Sequence, residues 1–324
     1  MAAGDRAGGV RVEAPARLHL GLIDMHGGLG RSFGSIGLAV DRPRAVVELR
    51  PADRLAVEGP EADRARRYLT DAAAALGVSD AVSVSILEAM PAHAGFGSGT
   101  QIALAMAAGL ARLRGVAADI RALGGTLDRG ARSGIGVSAF LDGGFLVDGG
   151  RKPGGDVPPV IARLSFPQAW RIVLILDTAA EGVHGKEEAA AFRDLPRFPE
   201  AAAAHLCRLV MMRLLPGLAE ADIGSVGDAL TEIQARLGDH FAPAQGGRRF
   251  ASPVVSEALT RAAEAGAAGV GQSSWGPTGF ALVASEDEAL ALKDHLVRNC
   301  HTNERLNFVV AAGRNRGATI ETVN

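Results

Sequence analysis

Gly95, Gly97 and Gly99 stand in the run Pro91-Ala-His-Ala-Gly-Phe-Gly-Ser-Gly-Thr-Gln-Ile, which leads directly into an alanine- and leucine-rich helical pattern. Glycines at this spacing let backbone N–H groups converge, and the N-terminus of the next helix adds about half a positive charge. Together they form an anion-binding corner, with the Ser98 and Thr100 hydroxyls able to touch phosphate or a bound Mg2+. The loop is not a Walker A sequence, because no Lys precedes the Ser/Thr, and its glycine spacing is not the dinucleotide fingerprint. On its own the run equally describes a glycine-rich turn with a Thr N-cap.

Other polar groups gather beside glycines elsewhere. In 14–37, Arg17 and His19 alternate with apolar residues and so face one side of a strand. Asp24, His26 and Arg31 follow on a glycine loop, where Arg suits a bidentate grip on phosphate or carboxylate. Asp24 could hold a metal, accept a proton or stabilise a cation, or an Asp24–Arg31 ion pair could simply pin the loop. Arg129, Arg132 and Ser133 lie in a further patch, which reads equally as a solvated arginine pair at a helix start. In Gly271–Phe280, Trp275 could stack on an aromatic ligand and Ser273, Ser274 and Thr278 could donate to it, although a Trp beside Gly-Pro commonly just packs. Gly182-Val-His-Gly-Lys-Glu-Glu offers Lys186 for a carboxylate, while Glu187 and Glu188 suit a helix first turn. His19 and His26 are seven apart and Cys300-His301 stands alone, so no zinc spacing is present.

The elements that must position these groups follow from periodicity. Strands are expected at Val10–Ala14, Arg17–Ile23, Ala45–Arg50, Val82–Leu87, Phe145–Val147, Ile172–Leu176 and Gly279–Ala284. Helices are expected at Asp63–Leu76, Thr100–Arg114, Glu187–Phe192, Ala201–Leu215, Val226–Leu237, Val254–Ala265 and Asp287–Arg298. Strands and helices mingle without regular βαβ alternation, which indicates an α+β class. The Pro/Gly-rich stretch 149–159 marks a boundary region, giving an N-terminal domain over 1–165 and a C-terminal domain over 166–324.

Composition narrows the function classes. At about 150 residues per domain, the 324 residues suit two domains. The net charge of −2 lacks the basic excess of a nucleic-acid binder, and 4% aromatics argue against base-stacking platforms. Two cysteines cannot build a disulfide framework, the start has no apolar signal segment, and no charge-free apolar run of about 18 residues occurs. A cytoplasmic enzyme or binding protein, away from membranes and nucleic acid, is the expectation.

Taken in order, the patches resemble the GHMP kinase superfamily, whose phosphate loop P-x-x-x-G-L-G-S-S-A is matched by Pro91–Thr100. Ala14-Pro-Ala-Arg-Leu-His-Leu is similar to its early strand motif and Gln272–Gly279 to its late glycine motif. The resemblance implies an N-terminal domain like domain 2 of ribosomal protein S5, a ferredoxin-like C-terminal domain, and a site between them. Where mevalonate-type kinases carry S-G-x-D-N, with an Asp acting on the accepting hydroxyl, this chain has Ser133-Gly-Ile-Gly-Val, so Gly136 replaces the Asp.

The closer resemblance is to the β-ribofuranosylaminobenzene 5′-phosphate synthase family of tetrahydromethanopterin biosynthesis. It rests on I-D-M-H-G-G-L-G-R at 23–31, G-F-G-S-G-T-Q at 95–101, R-S-G-I-G-V at 132–137, D-G-G at 148–150, G-K-E-E at 185–188 and S-S-W-G-P-T at 273–278. It implies a Mg2+-dependent, homodimeric glycosyltransferase. Such an enzyme condenses phosphoribosyl pyrophosphate with 4-hydroxybenzoate or 4-aminobenzoate to a C-riboside, releasing pyrophosphate and CO2. On that reading Gly95, Gly97, Ser98, Gly99, Thr100, Gln101, Arg132 and Ser133 hold the pyrophosphate, with Ser98 toward the metal. Asp24 stabilises the ribosyl cation, while Arg17, Arg31 and Lys186 bind the benzoate carboxylate or the 5′-phosphate. His19, His26, His184, Ser274, Trp275 and Thr278 contact substrate. A superfamily ATP kinase, with Asp24 as substitute base, and a non-catalytic phosphometabolite binder are the alternatives.

Overall fold

The computed structural model describes residues 8–182, 185–300 and 303–324. The two strands expected near the N-terminus are one, β1 (Gly9–Asp24), paired antiparallel with the long β2 (Phe33–Pro51). The register breaks twice. Between Pro15 and Ala16 the partner jumps from Arg44 to Val40, so 41–43 loop out where Pro15 and Pro43 offer no N–H to the ladder. A second shift between His19 and Gly21 is a bulge, with Gly21 at φ +147°. A Cβ there would stand 2.8 Å from Leu237 Cδ1, so this glycine is what lets a C-terminal helix approach β1.

Around this pair the first sheet adds β3 (Ala56–Glu58), β4 (Val82–Glu88), β5 (Phe145–Asp148), β6 (Val160–Leu164) and β11 (Thr319–Val323). Residues 165–166 fall between β6 and β7 (Arg171–Asp177), yet the last strand returns to pair with β1 in this first sheet. Helices α1 (Ala62–Leu76), α2 (Ser98–Arg114), α3 (Ile120–Thr126) and α4 (Ile135–Leu141) accompany it. From Gln101 to Ala111 every α2 residue is buried, so it is a central helix between the β1–β2 face and α1, α3 and α4. Ile102, Leu104, Met106 and Leu110 each contribute about 1.5–3 kcal/mol by leaving water.

The second sheet is antiparallel in the order β10 (Leu306–Ala312), β7, β9 (Thr278–Val283), β8 (Gly269–Gln272). Alternation along β7 splits its side chains between two cores. Val173 and Ile175 join Val255 and Leu259 of α9 (Pro253–Glu264) and Leu292 and Leu296 of α10 (Glu286–Asn299). Ile172, Leu174 and Leu176 belong to the large core shared with α8 (Ile223–Phe241) and β1. Helix α8 thus touches both sheets and can wall a space between them. Upstream of it lie α5 (Gly185–Asp194) and α6 (Glu200–Leu209), and the expected Ala201–Leu215 helix runs from α6 through a π turn into α7 (Leu215–Glu220). Pro216, without an N–H for the i−4 carbonyl, accounts for the break in α geometry. Glu200–Glu220 is long and apolar enough by composition to cross a bilayer, but Leu206, Leu209, Val210, Leu214 and Leu218 are buried in the core.

Candidate active site

The glycine loop is fixed from three directions. Arg17 Nη1 and Ser273 Oγ both donate to the Gly95 carbonyl, at 2.6 and 2.7 Å, and Arg17 N donates to Phe96 O. The 273–276 turn is tied in turn to β1: His19 N donates to Ser273 Oγ at 3.1 Å and Ser274 N to His19 O at 3.0 Å. Gly95 has φ +90°, and a Cβ on it would lie 2.6 Å from Ser273 O. Early strand, phosphate loop and late glycine turn, far apart in sequence, therefore form one knot.

Beside this knot is an inner cavity of about 600 Å3, a size ordinary for a small-molecule site. The two halves of the chain supply it with different chemistry. From the N-terminal half come Arg17, His19, Thr100, Asp128, Arg129, Arg132 and Ser133. From the C-terminal half come Phe192, Phe241, Phe250 and Trp275, with Gln234, Gln245, Gln272, Ser274 and Arg249. Arg17, Arg129 and Arg132 make the first wall cationic, while Arg249 is paired with Asp239 at 2.8 and 3.1 Å. The Arg132 guanidinium lies 5.0 Å from the Phe192 ring centre and that of Arg129 5.4 Å from Tyr68. Burial, reinforced by Arg17, pushes His19 down to about 3, against a weak opposing bond to its own backbone, so its imidazole is neutral at pH 7. The positive wall suits a polyanion.

The aromatic wall is packed. Trp275 is 5% exposed, stacks on Phe192 with centroids 5.0 Å apart, and meets Phe241 edge-on at 4.7 Å. Its ring is packed between these partners rather than left as a free plate. The three glutamines are spent on fold: Gln234 bonds Leu20 O and Gln272 N, Gln245 bonds Arg248 O and Arg249 O, and Gln272 bonds Ser274 O and Ala251 N. They set a rigid amide floor.

The remaining site residues expected from sequence divide. Ser133 lines the cavity and donates to the buried Asp148, whose carboxylate also takes N–H bonds from Gly134, Gly150 and Ser35. Burial raises the Asp148 pKa, and those hydrogen bonds oppose it. Gln101 is fully buried and donates to Gly136 O at 2.8 Å, joining α2 to α4. Thr278 is fully buried in β9, and Gly97 packs against the Arg17 stem. Asp24, His26 and Arg31 do not line the inner cavity. Asp24 Oδ1 accepts from the N–H groups of His26 and Gly27, and Arg31 donates to Gly149 O and Gly150 O, so the two do not pair with each other. His184 and the side chain of Lys186 lie outside the described residues.

Ser98 and Thr100 diverge: Thr100 faces the inner cavity, while Ser98 Oγ lies 3.4 Å from Arg64 Nη1. Arg64 belongs to a second cavity of about 710 Å3 with Glu61, Arg67, Tyr68 and His93. Arg64, Tyr68, Gln234, Gln245, Phe192 and Phe241 carry no local signal in the sequence. They sit on ordinary amphipathic helices or connections and reach the site only through tertiary packing. As a Mg2+ ligand Ser98 does not fit, because a guanidinium is its neighbour, and the described residues hold no cluster of three His, Cys, Asp or Glu for a cation. At position 136, a Cβ would come within 3.2 Å of Thr100 Cγ2, so the place of the kinase-type Asp is taken by close helix packing.

Comparison with known proteins follows the same lines. Residues 63–144 match the family described as GHMP kinases N terminal domain, and 214–302 match GHMP kinases C terminal. A homoserine kinase from Cytophaga hutchinsonii superposes with a TM-score of 0.70 at 19% identity, covering 99% of both chains. The L. major mevalonate kinase solved in complex with R-mevalonate gives 0.70 at 14% identity, over 97% of this chain and 99% of its own. Knot, sheets and connectivity together define a GHMP-kinase-type α+β protein.

Within that class, the similarity extends to one kind of enzyme. A β-ribofuranosylphenol 5′-phosphate synthase of Methanothermobacter thermautotrophicus is 32% identical over 95% of this chain and 97% of its own length. One from Archaeoglobus fulgidus is 31% identical over 96% and 99%. The chain belongs to this synthase family, the one resembled by the motifs at 23–31, 95–101 and 273–278.

Proposed function

We propose that the protein joins phosphoribosyl pyrophosphate to 4-hydroxybenzoate through a carbon–carbon bond, releasing pyrophosphate and CO2, as a pentosyltransferase in the making of a tetrahydromethanopterin-type cofactor. The observation that carries the reading is the inner cavity itself: a guanidinium- and hydroxyl-bearing wall faces an aromatic and amide wall, and packing fills the place of a kinase base. The relatives are named for a phenol product, which supports the hydroxy acid over 4-aminobenzoate.

Arg17, Arg129, Arg132 and Thr100 would receive the phosphoryl groups and steady the charge that develops as pyrophosphate leaves. Mg2+ would arrive as part of the substrate, on the pyrophosphate oxygens. The packed wall of Phe192, Trp275 and Phe241 excludes water from the acceptor ring and limits capture of the ribosyl cation by water. His19, being neutral, leaves the cationic wall's preference for anions to the arginines.

The test is the purified protein with phosphoribosyl pyrophosphate, Mg2+ and carboxyl-labelled 4-hydroxybenzoate or 4-aminobenzoate, following CO2 and pyrophosphate together. Equal release of both, faster with the hydroxy acid, is expected. Turnover of ATP with a superfamily alcohol substrate and no CO2 from either acid would overturn the reading.

A further inference from the structure

We propose that Asp128 is the catalytic carboxylate that faces the ribosyl cation, an inference that rests on the C-riboside reading above. Cleavage of the C1′–O bond sends both electrons to the pyrophosphate oxygen and leaves positive charge on C1′ and the ring oxygen. The acceptor carbon bearing the carboxylate supplies the pair for the new bond to C1′. The C–CO2 bond then returns its pair to the ring, and CO2 departs. The balance needs no proton, oxidant or further reactant.

The arginines that stabilise departing pyrophosphate disfavour the cation forming beside it, so the site requires a compensating anion. Among the described residues that line the inner cavity, Asp128 is the one carboxylate, against Arg17, Arg129, Arg132 and Arg249. Its side chain takes no hydrogen bond or ion pair among the described residues. Of the other motif acids whose side chains are described, neither lines the inner cavity: Asp24 Oδ1 accepts from the His26 and Gly27 N–H groups, and Asp148 accepts from Gly134, Gly150 and Ser35. Asp128 follows α3 with φ +55° and its N–H on Gly125 O, a left-handed position where glycine is less strained.

Two variants separate a catalytic from a structural role. Asp128→Asn tolerates the left-handed backbone and removes only the charge, and Asp128→Gly relieves the backbone. In both, kcat for CO2 release should fall at least about 30-fold, or roughly 2 kcal/mol. Pyrophosphate, titrated calorimetrically as the probe, should bind Asp128→Asn as tightly as wild type or more tightly, since an anion has left a cationic site. The Tm of Asp128→Gly should equal or exceed wild type. A kcat within threefold of wild type in Asp128→Asn, or a kcat loss accompanied by weaker pyrophosphate binding, overturns the inference and leaves the C-riboside reading standing. Wild-type protein that makes no C-riboside at all overturns that reading first, and this assignment with it.

Discussion

The segments 91–101 and 23–34 look alike as sequence: both are rich in glycine and both contain a His and a Ser. In the fold they do opposite things. The first is held by groups from outside itself, Arg17 and Ser273 on the Gly95 carbonyl, and its helix delivers Thr100 to the inner cavity. The second closes on backbone. Asp24 caps His26 and Gly27, Arg31 reaches the carbonyls of Gly149 and Gly150, and Arg197 donates to His26 O, while Leu29 at the tip is 92% exposed. The density of chemistry-bearing residues marks glycine loops in general. What separates a cavity wall from its scaffold is whether neighbouring backbone already claims those side chains.

The comparison breaks most readily at one glycine in each segment. Gly95→Ala adds a Cβ 2.6 Å from a backbone oxygen at φ +90°, so the Arg17–Gly95–Ser273 knot must open. We expect kcat/KM to fall at least about 100-fold, or roughly 3 kcal/mol, together with a clear drop in Tm. Gly30→Ala has a similar φ of +79° but meets nothing within 4 Å. Its cost should be the backbone term of about 1 kcal/mol, with kcat/KM within a few-fold of wild type. Equal losses of activity in the two would show that the 23–34 loop belongs to the chemistry as directly as the phosphate loop.

A second pair sharpens the same contrast with smaller effects. Arg17→Met keeps the stem but removes the charge beside the cavity, and KM for phosphoribosyl pyrophosphate should rise at least about tenfold, or roughly 1.4 kcal/mol. Arg31→Met deletes two charge-assisted bonds to Gly149 and Gly150 carbonyls, so about 1–3 kcal/mol of stability should go. Its activity, assayed well below Tm, should fall less than that of Arg17→Met. The reverse ranking would return Arg31 to the substrate.

Much of this was legible in the sequence where local rules govern. The buried helix behind Ser98, the Ile172–Leu176 strand and the α+β class follow from periodicity, and the glycine clusters do mark tight backbone. Arg17 and His19 share a face of β1 as alternation requires, and both line the cavity. What could not be read was the destination of each polar group. Nothing local tells that Gln101 turns to Gly136 O and Thr278 into β9, or that Arg64 comes over Ser98 from α1. Helix α4 is absent from the expected helices even though the arginine pair before it suits a helix start, because Gly134 and Gly136 interrupt the periodic pattern; the glycine at 136 serves close contact with Thr100. The full length of β2 was masked by Asp41-Arg-Pro, which bulges instead of ending the strand.

His19 gives the smallest expected effect and the cleanest sign. Its side chain lies in the cavity wall at 8% exposure, and burial, with Arg17 adding to it, lowers its pKa to about 3 from an ordinary 6.5. Between those values the unfolded chain binds a proton that the folded protein refuses, so unfolding becomes more favourable as pH falls. The stabilising contribution is complete above pH 6.5 and declines by about 1.4 kcal/mol for each unit below it, toward pH 3. His19→Gln cannot titrate, so the variant should lose that arm of the pH dependence. Urea unfolding at pH 7.5 and 5.5 should show wild type losing about 1.4 kcal/mol more than His19→Gln over that interval. Equal losses would mean that water in the inner cavity solvates the imidazolium, and that this wall is as wet as the exposed 23–34 loop.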